Sequence, residues 1–234
     1  MKAYKRIKKL TEVVNDLIKY KQGKVVVADI GADHGYLSES LSRLENIDKI
    51  YAIEISDKCL EKVIKLKQNF NLEKIKPLLS DGLTNLKHVN LSVMAGIGGY
   101  EIINILENQN KLGDGLKCET FILQPSDNAV ELRKWINQNN IFVLRDFIFE
   151  SAKRFYPVIV IDVSKTEKVE LTDFDLYLGR DNSVENKEFV NYLLHLKDLL
   201  GYLNDLPENR INNDETLVQK VKLKILIEKL LDKC

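Results

Sequence analysis

The chain has 234 residues, enough for one domain of about 150 residues and a substantial further piece, and its 44% hydrophobic and 30% charged content excludes a disordered tail. Lys and Arg (35) balance Asp and Glu (35), which excludes a histone-like polycation but not a local basic surface. Three scattered cysteines (Cys59, Cys118, Cys234) and three histidines exclude a disulfide framework and a Cys/His metal site, and no apolar run is long enough to span a membrane.

Residues 1–24 carry eight Lys/Arg against two acids, a local charge of +6. Within them Ile7, Leu10, Val13, Val14, Leu17 and Ile18 fall at helical spacing, and Gly23 fits a C-cap. There is no apolar signal-peptide core behind this basic start, so a cytoplasmic protein is expected. Val25–Ile30 is a continuous apolar run, as for a strand buried on both faces of a parallel sheet. A turn at 31–35 and a helix over 36–44 follow. Strands are expected at 49–54, 75–80, 91–95 and 120–124, with helices over 57–69 and 100–108 and a turn at 96–99. A further helix, 127–139, has Asp127 as its N-cap. The runs 141–150 and 155–163 are separated by four residues, which forces an antiparallel hairpin. Beyond about residue 171 the period changes. Phe189, Leu193, Leu196, Leu200 and Leu203 make a heptad seam, Pro207 breaks it, and Leu217, Val221, Leu223, Ile227 and Leu230 make a second apolar face. Two helices with a short connector are expected.

The chemistry concentrates at strand ends. The first strand ends Asp29-Ile30-Gly31-Ala32-Asp33-His34-Gly35 and leads into a helix, so glycines let a ligand approach the backbone beside an acid. Glu54, followed by Ile55, ends the second strand, where a carboxylate can accept both ribose hydroxyls of an adenosine. Asp81-Gly82-Leu83 ends the third, where an Asp can accept from an adenine amino group. Taken singly, each acid would serve as well as a helix cap or a solvated loop. The row suits NAD as well as an adenosyl sulfonium, although acids are electrostatically favourable beside a sulfonium. A Lys-bearing phosphate loop and a GxGxxG pyrophosphate loop are both absent. The fourth strand ends Ala95-Gly96-Ile97-Gly98-Gly99, whose exposed backbone would admit a flat base.

These motifs, with Leu123-Gln124-Pro125, closely resemble the bacterial TrmK family, tRNA (adenine-N1)-methyltransferases that use S-adenosylmethionine and modify adenine 22. The resemblance covers essentially the whole chain. It implies an α/β fold: a Rossmann-like class I methyltransferase domain with an antiparallel terminal hairpin (1–165), then a C-terminal α-helical coiled-coil hairpin (166–234). The cofactor residues it implies are Asp29, Gly31, Asp33, His34, Gly35, Glu54, Ile55, Asp81, Gly82, Leu83, Ala95, Gly96, Gly98 and Gly99, with no metal. The sequence departs from the family at Lys58-Cys59, where Gly-Pro is usual, at Ser126 for Asn, and at Ile97 for Met.

Adenine N1 carries a lone pair, so catalysis would be placement and electrostatics rather than base chemistry. The product base is cationic, and Asp33 is the candidate to stabilise it. The Watson–Crick edge must be exposed, so the base is expected to leave its stack. tRNA would bind through phosphate contacts to the basic N-terminal segment, Lys153-Arg154, and Lys220, Lys222 and Lys224. The competing expectations are a methyltransferase for another RNA or a small molecule, and a non-catalytic RNA-binding scaffold. A monomer without a membrane partner is expected.

Overall fold

The structure is a computed structural model that describes residues 2–84, 86, 88–111, 118–165 and 170–233. Cys234 and the expected domain boundary at 165/166 touch residues outside those described. By its contacts the chain divides into two units, Met1–Arg145 with Val158–Glu170, and Asp146–Pro157 with Leu171–Cys234.

The first unit opens with helix α1 (Lys2–Ile18) and continues β1 (Val25–Ile30), α2 (Tyr36–Ser42), β2 (Ile47–Glu54), α3 (Asp57–Phe70) and β3 (Ile75–Leu79). Then come β4 (Leu91–Ile97), α4 (Gly99–Lys111), β5 (Thr120–Pro125), α5 (Ala129–Gln138), β6 (Phe142–Ser151) and β7 (Arg154–Asp162), of which residues 146–151 and 154–157 count with the second unit. The sheet order is β3-β2-β1-β4-β5-β7-β6. Strands β1 to β5 pair in parallel, and β7 pairs antiparallel to β5. The apolar runs become central strands because helices cover both faces: Val27, Ala28, Val93, Phe121, Ile122 and Leu123 are fully buried. Each of these Val, Ile, Leu and Phe side chains contributes about 1.5–3 kcal/mol by leaving water, and the Ala28 methyl less.

Three local expectations change. Helix α1 stops at Ile18, and Gly23 sits in a separate left-handed bend (φ 80°), not at the helix end. Asn128, itself left-handed (φ 50°), precedes α5 in place of Asp127, and no side chain caps that helix. Strand β4 runs on through Gly96 and Ile97, where the expected turn stood, with a register slip against β5 between Ala95 and Ile97.

The second unit holds α6 (Asp173–Leu178), α7 (Lys187–Leu199), a 3-10 turn (Gly201–Asp205), α8 (Glu208–Asn212) and α9 (Glu215–Leu231). A Thr172/Asp175 capping box starts α6, Asn186 caps α7 and Asp214 caps α9. Every residue of both sequence stripes lies in one apolar cluster, around Phe189, Leu193, Leu200, Leu203 and Ile227. The elements are more broken than a two-helix hairpin: α7 ends at Leu199, the stripe continues through the 3-10 turn, and α6 and α8 are additional. The amides of Asp146, Ile148 and Glu150 on the outer strand β6 donate to the side chains of Asp181 (2.7 Å), Asn182 (3.0 Å) and Glu188 (3.3 Å). This blunts the exposed edge of the sheet.

Candidate functional site

The carboxyl ends of β1, β2 and β4 and the segment after β3 meet at two adjoining cavities. The larger, ≈ 470 Å³, is lined by Asp29, Gly31, Asp33, His34, Ala95 and Gly96, with Arg6, Tyr36 and Ile97 among the others. The smaller, ≈ 180 Å³, is lined by Glu54, Ile55, Asp81 and Gly82 together with Ile30, Ile53, Glu101 and Ile105. Gly31 and Ile97 line both. A Cβ at Gly31 would lie 3.0 Å from Ile97 Cδ1, so a side chain there would crowd the neck between them. Four expected residues line neither cavity. Gly35 precedes α2 with φ 74°, and a Cβ there would meet Leu66 at 2.9 Å. Leu83 belongs to the core. Gly98 and Gly99 let α4 start against the segment before α5.

The turn after β1 needs positive φ at Gly31 (72°), Asp33 (47°) and Gly35 (74°). It is held by β2: Gly31 and Ala32 donate their amides to the Ile53 carbonyl (2.9 and 3.2 Å), and the Asp33 amide donates to the Glu54 carboxylate. Glu54 is thus a turn-holding residue as well as a cavity wall, and it is buried. The Asp33 side chain is 61% exposed and pairs with Lys62 Nζ at 2.7 Å, with His34 Nε2 at 3.7 Å. The bond to Asp33 raises the Lys62 ammonium above its usual range. The His34 and Tyr36 rings stack at 5.4 Å, 6° from parallel.

Asp29 is the deep acid. It is buried and accepts from Ser38 Oγ at 2.6 Å. Burial pushes its carboxyl up to about 6, against the opposing pull of the Ser38 bond and, more weakly, of Arg6. Arg6, on α1, donates to Gln124 Oε1 at 2.9 Å. Gln124 is 1% exposed and donates in turn to the Pro125 carbonyl at 2.9 Å.

Sequence reasoning did not single out Arg6 or Lys62 for this site. Arg6 stands in a run with Lys5, Lys8 and Lys9 that local sequence cannot sort. Lys62 lies 29 residues from Asp33, and only the packing of α3 beside the turn brings them together. Of the departures from the family pattern, Lys58-Cys59 falls in the first turn of α3. At the second, Ser126 donates its amide to Ile97 O and its hydroxyl to Asp127, and the third, Ile97, lines both cavities.

The site offers acids, backbone and a narrow apolar slot. Among the described residues no group of three or more His, Cys, Asp or Glu could hold a metal ion, and no helix is long and apolar enough to cross a membrane. Acids with glycines at the ends of a parallel 3-2-1-4-5 sheet, closed by an antiparallel β7, define a Rossmann-like methyltransferase.

Comparisons with known proteins narrow the class. The model of the family TrmK, tRNA (adenine(22)-N(1))-methyltransferase, matches residues 27–231. The tRNA (adenine(22)-N(1))-methyltransferase of Bacillus subtilis strain 168 is 26% identical over 243 residues, spanning 95% of this chain and 94% of its own. A Streptococcus pneumoniae protein crystallised with S-adenosyl-L-methionine superposes with TM-score 0.76 at 25% identity, covering 95% of this chain and 98% of that one. M. capricolum TrmK, solved with S-adenosyl-homocysteine, shares the fold at TM-score 0.75 and 24% identity, over 93% of this chain and 97% of its own. The chain belongs to the TrmK family, and its reaction is methylation of adenine 22 of tRNA at N1.

Proposed function

We propose that the two adjoining cavities hold S-adenosylmethionine, the methyl donor, with its adenosyl end in the smaller and its amino-acid end in the larger. The chemistry of the walls carries this reading. The smaller cavity combines an isoleucine-lined slot with Glu54 and Asp81, suited to a flat base and to ribose hydroxyls. The larger has Asp29 and Asp33, suited to a cationic centre. Bound there, the donor supplies an electrophilic methyl group on a positively charged sulfur.

This chain's residues then place and stabilise. Ala95 and Gly96 offer backbone beside the reacting groups. Asp33, at the rim, faces the positive charge that develops on the base as N1 is alkylated. Its bond to Lys62 holds the carboxylate in place. No residue need remove a proton before attack, because N1 of neutral adenine has a lone pair.

The division of labour we infer is a methyltransferase domain over 1–165 and a helical domain over 166–234, with phosphates held by the basic stretch of α1, by Lys153 and Arg154, and by Lys220, Lys222 and Lys224. The protein works as a monomer in the cytoplasm, where tRNA is; the covered edge of β6 supports the first part of that reading.

The test is direct. The protein, labelled S-adenosylmethionine and unmodified tRNA are incubated together, and the labelled nucleoside is mapped by mass spectrometry. Label on N1 of adenine 22 is expected. Label elsewhere, or none, overturns the reading.

A further inference from the structure

A groove of ≈ 690 Å³ runs between α1 and α2, larger than either of the two cavities and within the usual size of ligand sites, about 300–1,000 Å³. One wall is a single face of α1, positions 4, 7, 8, 11, 12 and 15 at helical spacing. The other is Tyr36, Glu39 and Ser40 on α2 with Arg43 and Leu44 just after it. The core of the unit takes a different face of α1, through Leu10, Val13, Val14 and Ile18. The Thr11 and Ser40 hydroxyls, 2.9 Å apart, tie the two walls together, so the groove is preformed.

Its chemistry is aromatic and apolar, and its charges cancel. Tyr4 is 72% exposed and Tyr36 49% exposed, with Ile7 and Leu44 also lining the groove. Lys8 pairs with Glu12 at 4.0 Å and Arg43 with Glu39 at 2.7 Å. A groove that neutralises its own cations suits a phosphate poorly, whereas open aromatic rings suit a flat neutral heterocycle. Its position narrows which heterocycle. Ile7 and Tyr36 line the larger cavity as well, so the groove adjoins the place of methyl transfer. The stack on His34 holds the shared Tyr36 wall. Attack through N1 takes the target adenine out of its stack, and the next base in the strand then loses a partner and lies one phosphate away. Resting on the reading that the larger cavity serves methyl transfer, we propose that the α1/α2 groove takes the base adjoining adenine 22 in the tRNA strand, stacked on the Tyr4 ring. The enzyme thus holds two unstacked bases. Stacking on an aromatic ring accepts any base, so the groove keeps the strand open rather than reading its sequence.

The test pairs a change in the protein with a change in the RNA. Methylation kinetics are measured on intact tRNA and on tRNA with an abasic nucleotide on the 5′ or the 3′ side of adenine 22. The full-length wild type, Tyr4→Ala and Tyr4→Phe are compared, and calorimetry gives the S-adenosylmethionine affinity of each. On intact tRNA, Tyr4→Ala should lower kcat/KM by about tenfold or more, the scale of a lost base–aromatic stack, with donor affinity within about twofold. Tyr4→Phe, which keeps the ring, should stay near the wild type. An abasic nucleotide on one side should lower the wild type by a similar factor and cost Tyr4→Ala little further, because the same contact is already gone. Losses that multiply on both sides would mean that Tyr4 and the neighbouring bases do not meet, and overturn the proposal. So would a wild type indifferent to either abasic nucleotide, which would leave the groove to a ligand other than tRNA. Weakened donor binding in Tyr4→Ala would make Tyr4 a structural part of α1, again against the proposal. A wild type that binds no S-adenosylmethionine would overturn the reading of the cavities, and this proposal with it.

Discussion

Asp29 sits in the fold at a cost, and the sign of that cost can be worked out. Burial raises its folded pKa from 3.8 to about 6. Below the unfolded value both states are protonated and nothing is lost. Between that value and about 6 the folded state holds the proton longer, so stability falls as pH rises; above about 6 the full penalty applies. A shift of this size corresponds to about 3 kcal/mol at most. Asp29→Asn keeps an acceptor for Ser38 and removes the charge. At pH 7.5 it should melt higher by several degrees, on the scale of roughly 2–4 °C per kcal/mol for a chain of this size. The gain should shrink as the pH is lowered towards 4. Donor affinity should fall about tenfold, and its decline in the wild type below about pH 6 should be absent from the variant. Melting curves from pH 4 to 8 with calorimetry check this, and a variant that melts lower at pH 7.5 refutes it. At this scale Asp29, Glu54 and Asp81 were legible because strand ends are readable from apolar runs. Lys62 and Arg6 were not, because a lysine or arginine on a helix is a common solvated residue and only tertiary packing gives it a partner.

At the scale of elements, the α4 start shows how glycine spacing serves packing. A Cβ on Gly99 would fall 2.5 Å from the Asn128 carbonyl oxygen, which is backbone. A Cβ on Gly98 would meet a carboxylate oxygen of Asp127 at 3.2 Å, the end of a side chain that can turn away. Gly99→Ala should therefore destabilise by about 1–3 kcal/mol, as overpacking does, with Gly98→Ala costing less. Denaturant titration of both variants tests the order, and a Gly98→Ala loss equal to that of Gly99→Ala would count against it. The same segment explains why Asp127 was misplaced as a helix cap. Asp and Asn are both good caps in sequence, but the chain turns through left-handed Asn128, and the Asp127 carboxylate accepts from Ser126 and Asn128 instead. Strands β1 to β5 were legible to within a few residues because burial on both faces imposes an apolar run. The C-terminal helices were legible as apolar stripes, but not as four helices and a 3-10 turn, since a stripe records which residues are buried and not where the backbone bends.

For the whole molecule, a net charge of zero means that tRNA affinity cannot come from the overall field and must come from where cations are placed. Those of the second unit are set by its own core. Lys220 donates to Tyr202 at 3.2 Å and Lys224 donates to Asn204, tying α9 to the 3-10 turn beside the cluster of Phe189, Leu193 and Ile227. Leu193 is fully buried there, so Leu193→Ala should cost about 2–5 kcal/mol of that unit's stability. The first unit has a separate core, built on β1, β4, β5 and their helices. Donor binding should then survive within about twofold, whereas tRNA methylation at low salt should drop by more than tenfold as the cation arrangement is lost. Calorimetry with S-adenosylmethionine and a tRNA methylation assay on one preparation give both numbers. Parallel loss of the two would mean that the donor site depends on the helical unit for its shape; preserved methylation would mean that the tRNA is held by the first unit alone.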